Sequence, residues 1–167
     1  LEMSQPGETG ELWVKGTRGV QMFLEYYNNP EATESAFVDG WYRTGDGIKL
    51  GENGHMYFTQ RIKDMIKVGG ENVGVEEVEA VIMQIPEVAE VAVVAKTHPD
   101  LHEVPVAYVI CAEGADPDSL ESKVFDHCRE HMSAFKIPHY VCVVDDFPRA
   151  LLNKIAKNKL RDMAEKL

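Results

Sequence analysis

Apolar residues recur at helical spacing in three segments of the chain. Residues three or four apart share one face of a helix, so this pattern predicts amphipathic helices. Pro86 ends the first of them, because the residue before a proline avoids the helical conformation. In each helix we expect the apolar residues to face the core. They are Val75, Val78, Val81, Ile82 and Ile85 in the first, Leu120, Val124, Cys128 and Met132 in the second, and Ala156, Leu160, Met163 and Leu167 in the third.

Three runs rich in β-branched residues lie between these helices and predict strands. They cover Val88–Ala95, Val104–Cys111 and Tyr140–Val144, and a loop at Thr97–Asp100 separates the first two. Strands that alternate with helices in this way indicate a small α+β domain. We expect a mostly antiparallel sheet with flanking helices.

The first sixty residues are rich in turns and short strands. Glu11–Lys15 alternates in the manner of a strand, and Pro30 suits the first turn of a short helix. Two further strands, Ile48–Leu50 and His55–Thr59, are joined through Asn53-Gly54, a dipeptide typical of hairpins. This part of the chain is therefore predicted to be β-rich.

The composition is that of a globular protein, and the charge excludes one class of function. Hydrophobic residues make up 44% and charged residues 27% of the 167 residues. The formal net charge of −11 argues against a nucleic-acid surface, because phosphate binding relies on summed Lys and Arg charge. No apolar run has the length of a membrane span. We expect a cytoplasmic protein, and Leu1 in place of Met suggests further chain upstream.

The Cys and His residues predict neither a disulfide nor a metal centre. Cys111, Cys128 and Cys142 lack CxxC spacing and lie in apolar stretches, so we expect buried thiols in a reducing compartment. His127 and His131 belong to an H-x-x-E-H sequence, one arrangement found in zinc proteases. They share the apolar face of a predicted helix, where a histidine is more often a core residue, and no third ligand is evident.

Two segments combine charged residues with glycine. In YRTGD at residues 42–46, a turn would present one carboxylate, which can accept hydrogen bonds from a ribose diol. A plain turn aspartate is the alternative. In RIKDMIKVGGENV at residues 61–73, the pair Gly69-Gly70 allows close approach of a ligand to the backbone. An exposed strand followed by a turn is the alternative there.

A third segment, FPRALLNKI at residues 147–155, leads into the last predicted helix. That helix carries Lys157, Lys159 and Arg161, a basic cluster in an acidic protein. An anion site must concentrate positive charge locally in such a protein, although a solvated helix face is the usual explanation of a charge run.

Together, in this order and spacing, the three segments resemble the C-terminal end of the adenylate-forming enzymes. The resemblance extends from GELWVKG at residues 10–16 to the last helix, and the IKVGGENVGVEEVE form is similar to that of acyl-CoA synthetases. It implies that residues 1–62 end a large nucleotide-binding domain and that residues 63–167 form a mobile C-terminal domain. The missing N-terminal portion of the chain would hold the phosphate loop, the adenine pocket and the acyl tunnel.

The resemblance also implies a two-step reaction. A carboxylic acid and Mg²⁺-bound ATP give an acyl adenylate and pyrophosphate, and the thiol of CoA then displaces AMP to give a thioester. A fatty or carnitine-like acid is the substrate that we expect. The implied roles are ribose binding for Asp46 and Arg61, a hinge for Lys63, contact with the carboxylate and α-phosphate for Lys154, and the pantetheine tunnel for Lys67, Gly69 and Gly70.

The loop before Lys154 departs from the family pattern. Asn153 stands where the family usually has Gly, and Ala150-Leu151-Leu152 replaces a more polar loop. Asn tolerates left-handed backbone geometry better than most residues, so we expect the turn to survive. Two alternatives to a CoA ligase stay open: a non-catalytic α+β binding module, and adenylation followed by transfer to a carrier-protein thiol. We expect the chain alone to be inactive.

Overall fold

The computed structural model describes residues 4–167, with only the backbone described at Gln60 and Lys63. The described residues fall into two compact units. The first unit ends at Lys63 and the second unit is Asp64–Leu167. The boundary lies within a single 3-10 turn, Ile62–Asp64, where the sequence changes from turn-rich to periodic.

The described part of the first unit is built on a four-stranded antiparallel sheet. Helix α1 (Pro30–Ala36) begins where the Asn29 side chain accepts a hydrogen bond from the Ala32 N–H at 3.0 Å. Pro30 follows the cap, a position at which the missing N–H costs no helical hydrogen bond. The strands are β1 (Thr9–Lys15), β2 (Phe37–Val38), β3 (Trp41–Leu50) and β4 (Met56–Arg61), and β3 pairs with the other three.

β3 is longer than the sequence pattern indicated. It includes YRTGD, so our prediction that this segment forms a turn is wrong. The pairing of β3 is irregular, with register shifts at Glu11/Trp13 and at Gly47/Ile48. Gly45 has a φ of 74°, which glycine adopts without a Cβ clash. An irregular strand, rather than a turn, therefore presents Asp46.

The second unit is a five-stranded sheet of order β6-β5-β8-β7, with β9 beside β8. Only the β8–β9 pair is parallel among the described strands, which confirms the α+β class with a mostly antiparallel sheet. Further 3-10 turns lie at Ala134–Lys136 and Leu151–Asn153. The elements are β5 (Met65–Val68), β6 (Glu71–Gly74), α2 (Val75–Ile82), β7 (Val88–His98), β8 (His102–Cys111), α3 (Pro117–His131), β9 (Tyr140–Val143) and α4 (Lys157–Ala164).

The sheet of the second unit is buried on both faces at β7 and β8. Val91 and Val93 belong to a cluster that includes the buried residues of α2 and α3. Ala92 and Val94 point to the opposite side, into a cluster that includes the buried residues of α4. Successive side chains of a strand alternate between faces, so a strand covered on both sides has a continuous apolar sequence. This explains why the two runs predicted as strands show no polar alternation.

The buried stripe of α4 differs from the predicted one. Leu160 and Ala164 are fully buried and Ala156 nearly so, whereas Met163 and Leu167 are 41% and 55% exposed. Residues 156, 160 and 164 recur every four positions and therefore share one helix face. The prediction that Met163 and Leu167 face the core is wrong. Among residues 4–167, no helix has the length and apolarity that crossing a membrane requires.

The three cysteines are free thiols with different environments. Cys128 lies on the buried face of α3, and burial raises its pKa to about 11. Cys111 and Cys142 are only half-buried, so the prediction of buried thiols is correct for one of the three.

Candidate functional site

Asp46 and Arg61 lie opposite each other in the β3–β4 ladder. Arg61 Nε is 3.0 Å from Asp46 Oδ1, and the two side chains are 50% and 28% exposed. A carboxylate accepts hydrogen bonds and a guanidinium donates them, so the pair offers both kinds of partner at one accessible point. Cross-strand register thus brings together the two residues predicted to bind ribose.

Side chains of β3 surround the backbone at Asp46. Thr44 Oγ1 donates to the Leu12 carbonyl at 2.8 Å and accepts from the Asp46 N–H at 3.1 Å. The hydroxyl of Tyr42 lies 3.5 Å from that of Tyr26. This contact, together with burial, raises the pKa of Tyr42, and the Asp46 carboxylate acts in the same direction. The Tyr42 phenol is therefore held in its neutral form near the Asp46 carboxylate.

Glu11 on β1 is the residue that sequence reasoning missed here. Its carboxylate accepts from the Gly45 N–H at 3.2 Å, from Arg43 Nη2 at 3.1 Å and from Trp13 Nε1 at 2.9 Å. Burial opposes its ionisation, but the hydrogen bonds from Trp13 and Arg43 lower the pKa of Glu11 overall. Glu11 thus holds the glycine that precedes Asp46.

Gly69 and Gly70 form the two-residue turn between β5 and β6, since Val68 pairs with Glu71. Their φ angles are 57° and 94°, and two positive values in succession define the hairpin turn that favours glycine. Apart from Gly70 itself and its chain neighbours, no described residue has an atom within 4 Å of the position a Cβ would take on Gly70. The turn therefore presents open backbone, with Lys67 exposed on the strand before it.

The start of β8 holds this turn in place. The Gly69 N–H donates to the Leu101 carbonyl at 2.9 Å, and the Lys67 N–H donates to Glu103 Oε2 at 2.8 Å. A Cβ on Gly69 would lie 3.3 Å from Leu101 Cδ2. The Gly69 side of the turn is therefore packed, and its Gly70 side is open.

Lys154 lies exposed at the end of the 3-10 turn Leu151–Asn153. The bridge between Arg149 and Ile155 closes this loop as a short hairpin. Within it, the Ala150 N–H donates to the Lys154 carbonyl at 2.7 Å. We call residues 149–155 the lysine hairpin.

The tip of the lysine hairpin has left-handed backbone at two successive residues. Leu152 and Asn153 both have a φ of 60°. Asn153 thus adopts the geometry expected of a residue in the place of the family's glycine. At this φ the Cβ of Leu152 is sterically strained, whereas asparagine and glycine adopt the conformation more easily. The Leu152 side chain is 89% exposed.

Arg149 ties the lysine hairpin to β7. Its Nη2 donates to both carboxylate oxygens of Glu90, at 2.9 and 3.1 Å. Its Nη1 lies 3.4 Å from the Asn153 carbonyl. The arginine of the FPR motif therefore fixes the loop that presents Lys154, through a glutamate that the sequence pattern did not single out.

The basic cluster of α4 is largely neutralised inside the second unit. Lys157 Nζ is 2.7 Å from Glu79 Oε1, and Arg161 Nη2 is 2.8 Å from Asp64 Oδ1. These pairs attach α4 to α2 and to the start of the unit. The cluster is therefore mainly a set of structural ion pairs.

Three other residues singled out in the sequence are Lys63, His127 and His131. Lys63, the predicted hinge, lies in the Ile62–Asp64 turn, and its side chain is outside the described residues. His127 and His131 stack with ring centroids 4.0 Å apart, and His131 Nδ1 lies 2.8 Å from the His127 carbonyl. Within the part of the chain that the structure describes, no three His, Cys, Asp or Glu side chains are grouped to hold a metal ion.

The lysine hairpin and the Gly69–Gly70 turn lie at opposite ends of β7. The hairpin is bonded to Glu90, near the start of the strand. The turn is bonded to Leu101, just after the strand ends at His98. At about 3.3 Å per residue, roughly 26 Å of strand separates Glu90 from His98.

Comparison with known proteins gives consistent matches. Residues 77–154 match the AMP-binding enzyme C-terminal domain. Over 164 residues the chain is 38% identical to a 2-succinylbenzoate–CoA ligase of Geobacillus kaustophilus, covering 96% of this chain and 32% of that protein.

Solved structures of similar proteins also match almost the whole of this chain. ATP-bound MatB from Rhodopseudomonas palustris is 36% identical with a TM-score of 0.79, covering 97% of this chain and 31% of that one. The o-succinylbenzoate CoA synthetase of Bacillus subtilis, in complex with an acyl-adenylate intermediate, is 34% identical with a TM-score of 0.74, covering 95% of this chain and 31% of that one. The chain thus spans about a third of the length of these relatives.

Proposed function

We propose that this chain, which is the C-terminal portion of an adenylate-forming (AMP-binding) enzyme, belongs to an ATP-dependent acyl-CoA synthetase. In this role it supplies groups for both steps of the reaction to a site completed by the rest of the enzyme. We extend the proposal to a cytoplasmic enzyme whose acid is fatty or carnitine-like. By itself the chain is inactive, because it spans about a third of its relatives.

In the first step, a carboxylate oxygen attacks the α-phosphorus of Mg²⁺-bound ATP, and pyrophosphate leaves. Asp46 accepts hydrogen bonds from the ribose hydroxyls, and Arg61 donates beside it. The Lys154 ammonium lies against the attacking carboxylate and the α-phosphate oxygens, where it offsets charge that builds up in the transition state. The tie between Arg149 and Glu90 supports this placement by fixing the hairpin.

In the second step, the CoA sulfur attacks the acyl carbon of the adenylate, its proton leaves, and AMP is released. The open backbone at Gly70 allows the pantetheine arm to pass close to the turn. Lys67, exposed on the preceding strand, adds positive charge where CoA phosphates approach. The second unit turns about Lys63 between the two steps.

The observation that supports this alternation is the separation of the two segments along β7. Glu90, which binds the lysine hairpin, and His98, next to the Gly69–Gly70 turn, are about 26 Å apart along β7, so we expect two orientations of the second unit to present these segments in turn to the same reacting atoms. Rotation about a short hinge is the usual way for a domain to present two surfaces in turn.

The proposal is tested by carboxylate-dependent ATP–pyrophosphate exchange in the full-length enzyme, over a panel of carboxylic acids. Lys154→Ala is expected to lower exchange by about 10²–10³-fold, the typical effect of removing one charge-stabilising donor. Lys159→Ala, a matched change at an exposed lysine of α4, should leave the rate within about twofold. The best acid in the panel identifies the substrate class.

Two results would contradict this assignment. Undiminished exchange in Lys154→Ala would show that the lysine hairpin does not act in adenylation. Absence of exchange with every acid would favour the non-catalytic binding module, and adenylation without CoA-dependent turnover would favour a carrier-protein acceptor.

A further inference from the structure

His98 closes the turn between β7 and β8 with its side chain. Its Nδ1 lies 3.2 Å from the backbone N–H groups of both Asp100 and Leu101. These groups are donors, so Nδ1 accepts both hydrogen bonds. The imidazole therefore does what an asparagine or aspartate side chain commonly does at the start of a turn. The loop predicted to begin at Thr97 is shorter than expected, because β7 continues to His98.

The turn that His98 organises is the one that supports Gly69. Leu101 donates its N–H to His98 and accepts the Gly69 N–H at its carbonyl, at 2.9 Å. The same carbonyl accepts the Glu103 N–H at 2.9 Å, and the Glu103 carboxylate accepts the Lys67 N–H. Through Leu101 and Glu103, hydrogen bonds thus connect the imidazole to Gly69 and to Lys67, on the side of the turn that follows β5.

We infer that His98 is a positioning residue for the thioester-forming step, acting through Leu101 on the backbone of Gly69. The inference rests on the proposed function, since it assumes that this turn lies beside the pantetheine arm. His98 does not touch the reacting atoms. Its role is to hold the turn in one conformation, so that binding of CoA does not have to order it.

Two substitutions distinguish the effect of the acceptor atom of His98 from the effect of the rest of its side chain. His98→Asn places Oδ1 where Nδ1 stands and keeps an acceptor for both N–H groups. His98→Leu has similar bulk and no acceptor. Both variants remove the ring contact with His139, whose centroid lies 5.7 Å away. Any difference between the two variants therefore reports on the hydrogen bonds alone.

The first test uses the chain itself and measures amide hydrogen exchange. In His98→Leu, the Gly69 and Leu101 amides should exchange about tenfold faster than in the wild type, since roughly one net hydrogen bond is lost. The Ala107 amide, in the core of β8, should be unchanged as a sign of intact global fold. His98→Asn should be close to wild type. Equal protection of Gly69 in all three proteins would overturn the link.

The second test separates the two half-reactions in the full-length enzyme. His98→Leu should raise the KM for CoA about tenfold and leave carboxylate-dependent pyrophosphate exchange unchanged, and His98→Asn should restore the KM. Equal losses in both half-reactions, or no change in the KM, would overturn the inference. If the wild type shows no CoA dependence, the proposed function fails, while the Gly69 exchange rates still decide whether His98 holds the turn.

Discussion

Glu79 connects three elements of the second unit through a single carboxylate oxygen. Its Oε1 accepts the Val93 N–H at 2.7 Å and lies 2.7 Å from Lys157 Nζ. Among the described strands, β7 pairs only with β8, so the N–H groups on its other edge have no described strand to accept them. We predict that Glu79→Ala destabilises the second unit far more than a typical surface substitution.

The magnitude follows from what the substitution leaves behind. The residue Val93 is fully buried, and its N–H without an acceptor costs about 1–3 kcal/mol. The ion pair adds up to about 1 kcal/mol, because the side chains of Glu79 and Lys157 are only 19% and 26% exposed. Alanine has a better helix propensity than glutamate, which offsets about 0.5 kcal/mol of this loss in stability. The expected loss in the free energy of unfolding is therefore about 2 kcal/mol, within a range of about 0.5–3.5 kcal/mol. Glu79→Gln keeps an acceptor and should lose about 1 kcal/mol.

Urea unfolding measures this loss if the probe lies in the correct unit. Both tryptophans, Trp13 and Trp41, lie in the first unit, so their fluorescence does not report on the second. Unfolding of the second unit can instead be followed through the amide resonances of β7 in two-dimensional NMR spectra. Glu130→Ala, at an exposed position of α3, is the matched control and should stay within about 0.5 kcal/mol of the wild type. A loss in Glu79→Ala no larger than that of the control would refute the argument. A loss in Glu79→Gln as large as that in Glu79→Ala would show that the charge of Glu79, rather than the bond to the Val93 N–H, causes the destabilisation.

Two further predictions concern backbone strain and pH. Leu152→Asn should stabilise the chain by about 0.5–1 kcal/mol in urea unfolding, because asparagine tolerates a φ of 60° better than leucine does; a destabilisation would mean that the exposed leucine makes contacts that offset its strain. Burial and the neighbouring His98 lower the pKa of His139, so the unfolded chain binds a proton at higher pH than the native chain. The free energy of unfolding should therefore fall as pH decreases through the ordinary histidine range near 6.5 and level off below the native pKa. His139→Asn should make the change in urea midpoint between pH 7.5 and pH 5.5 smaller, and an unchanged difference would contradict this.

The parts of the fold that the sequence predicts are those set by local chemistry. The helix at Pro30 has its cap and its proline next to each other in the chain, so Asn29 and Pro30 define its start. The strands β7 and β8 are apolar on both faces and adjacent in sequence, which leaves a hairpin as the simplest arrangement. The stripe of α4 was only partly predicted, because Met163 and Ala164 are neighbours and only the packing decides which of them faces the sheet.

The parts that it does not predict depend on pairing between distant strands. YRTGD has the composition of a turn, with Thr, Gly and Asp in succession. It is nevertheless part of a strand, because β1 pairs with its first two residues and β4 with its last. The side chains of Glu11 and Thr44 accept the N–H groups of Gly45 and Asp46 in between. The register that places Asp46 opposite Arg61 likewise results from the whole β3–β4 ladder, including the shift after Gly47.

The acidic residues gave the least information in the sequence and hold much of the candidate site in the structure. A net charge of −11 is most simply explained by solvated carboxylates. Yet Glu11 accepts the Gly45 N–H across 34 residues, Glu103 accepts the Lys67 N–H across 36, and Glu90 binds Arg149 across 59. Each carboxylate fixes a segment that presents a predicted site residue, and each partner is too distant in sequence for any local pattern to reveal. Sequence motifs therefore contain the groups that we propose for ATP and CoA, whereas the residues that orient those groups are found only where the fold places them.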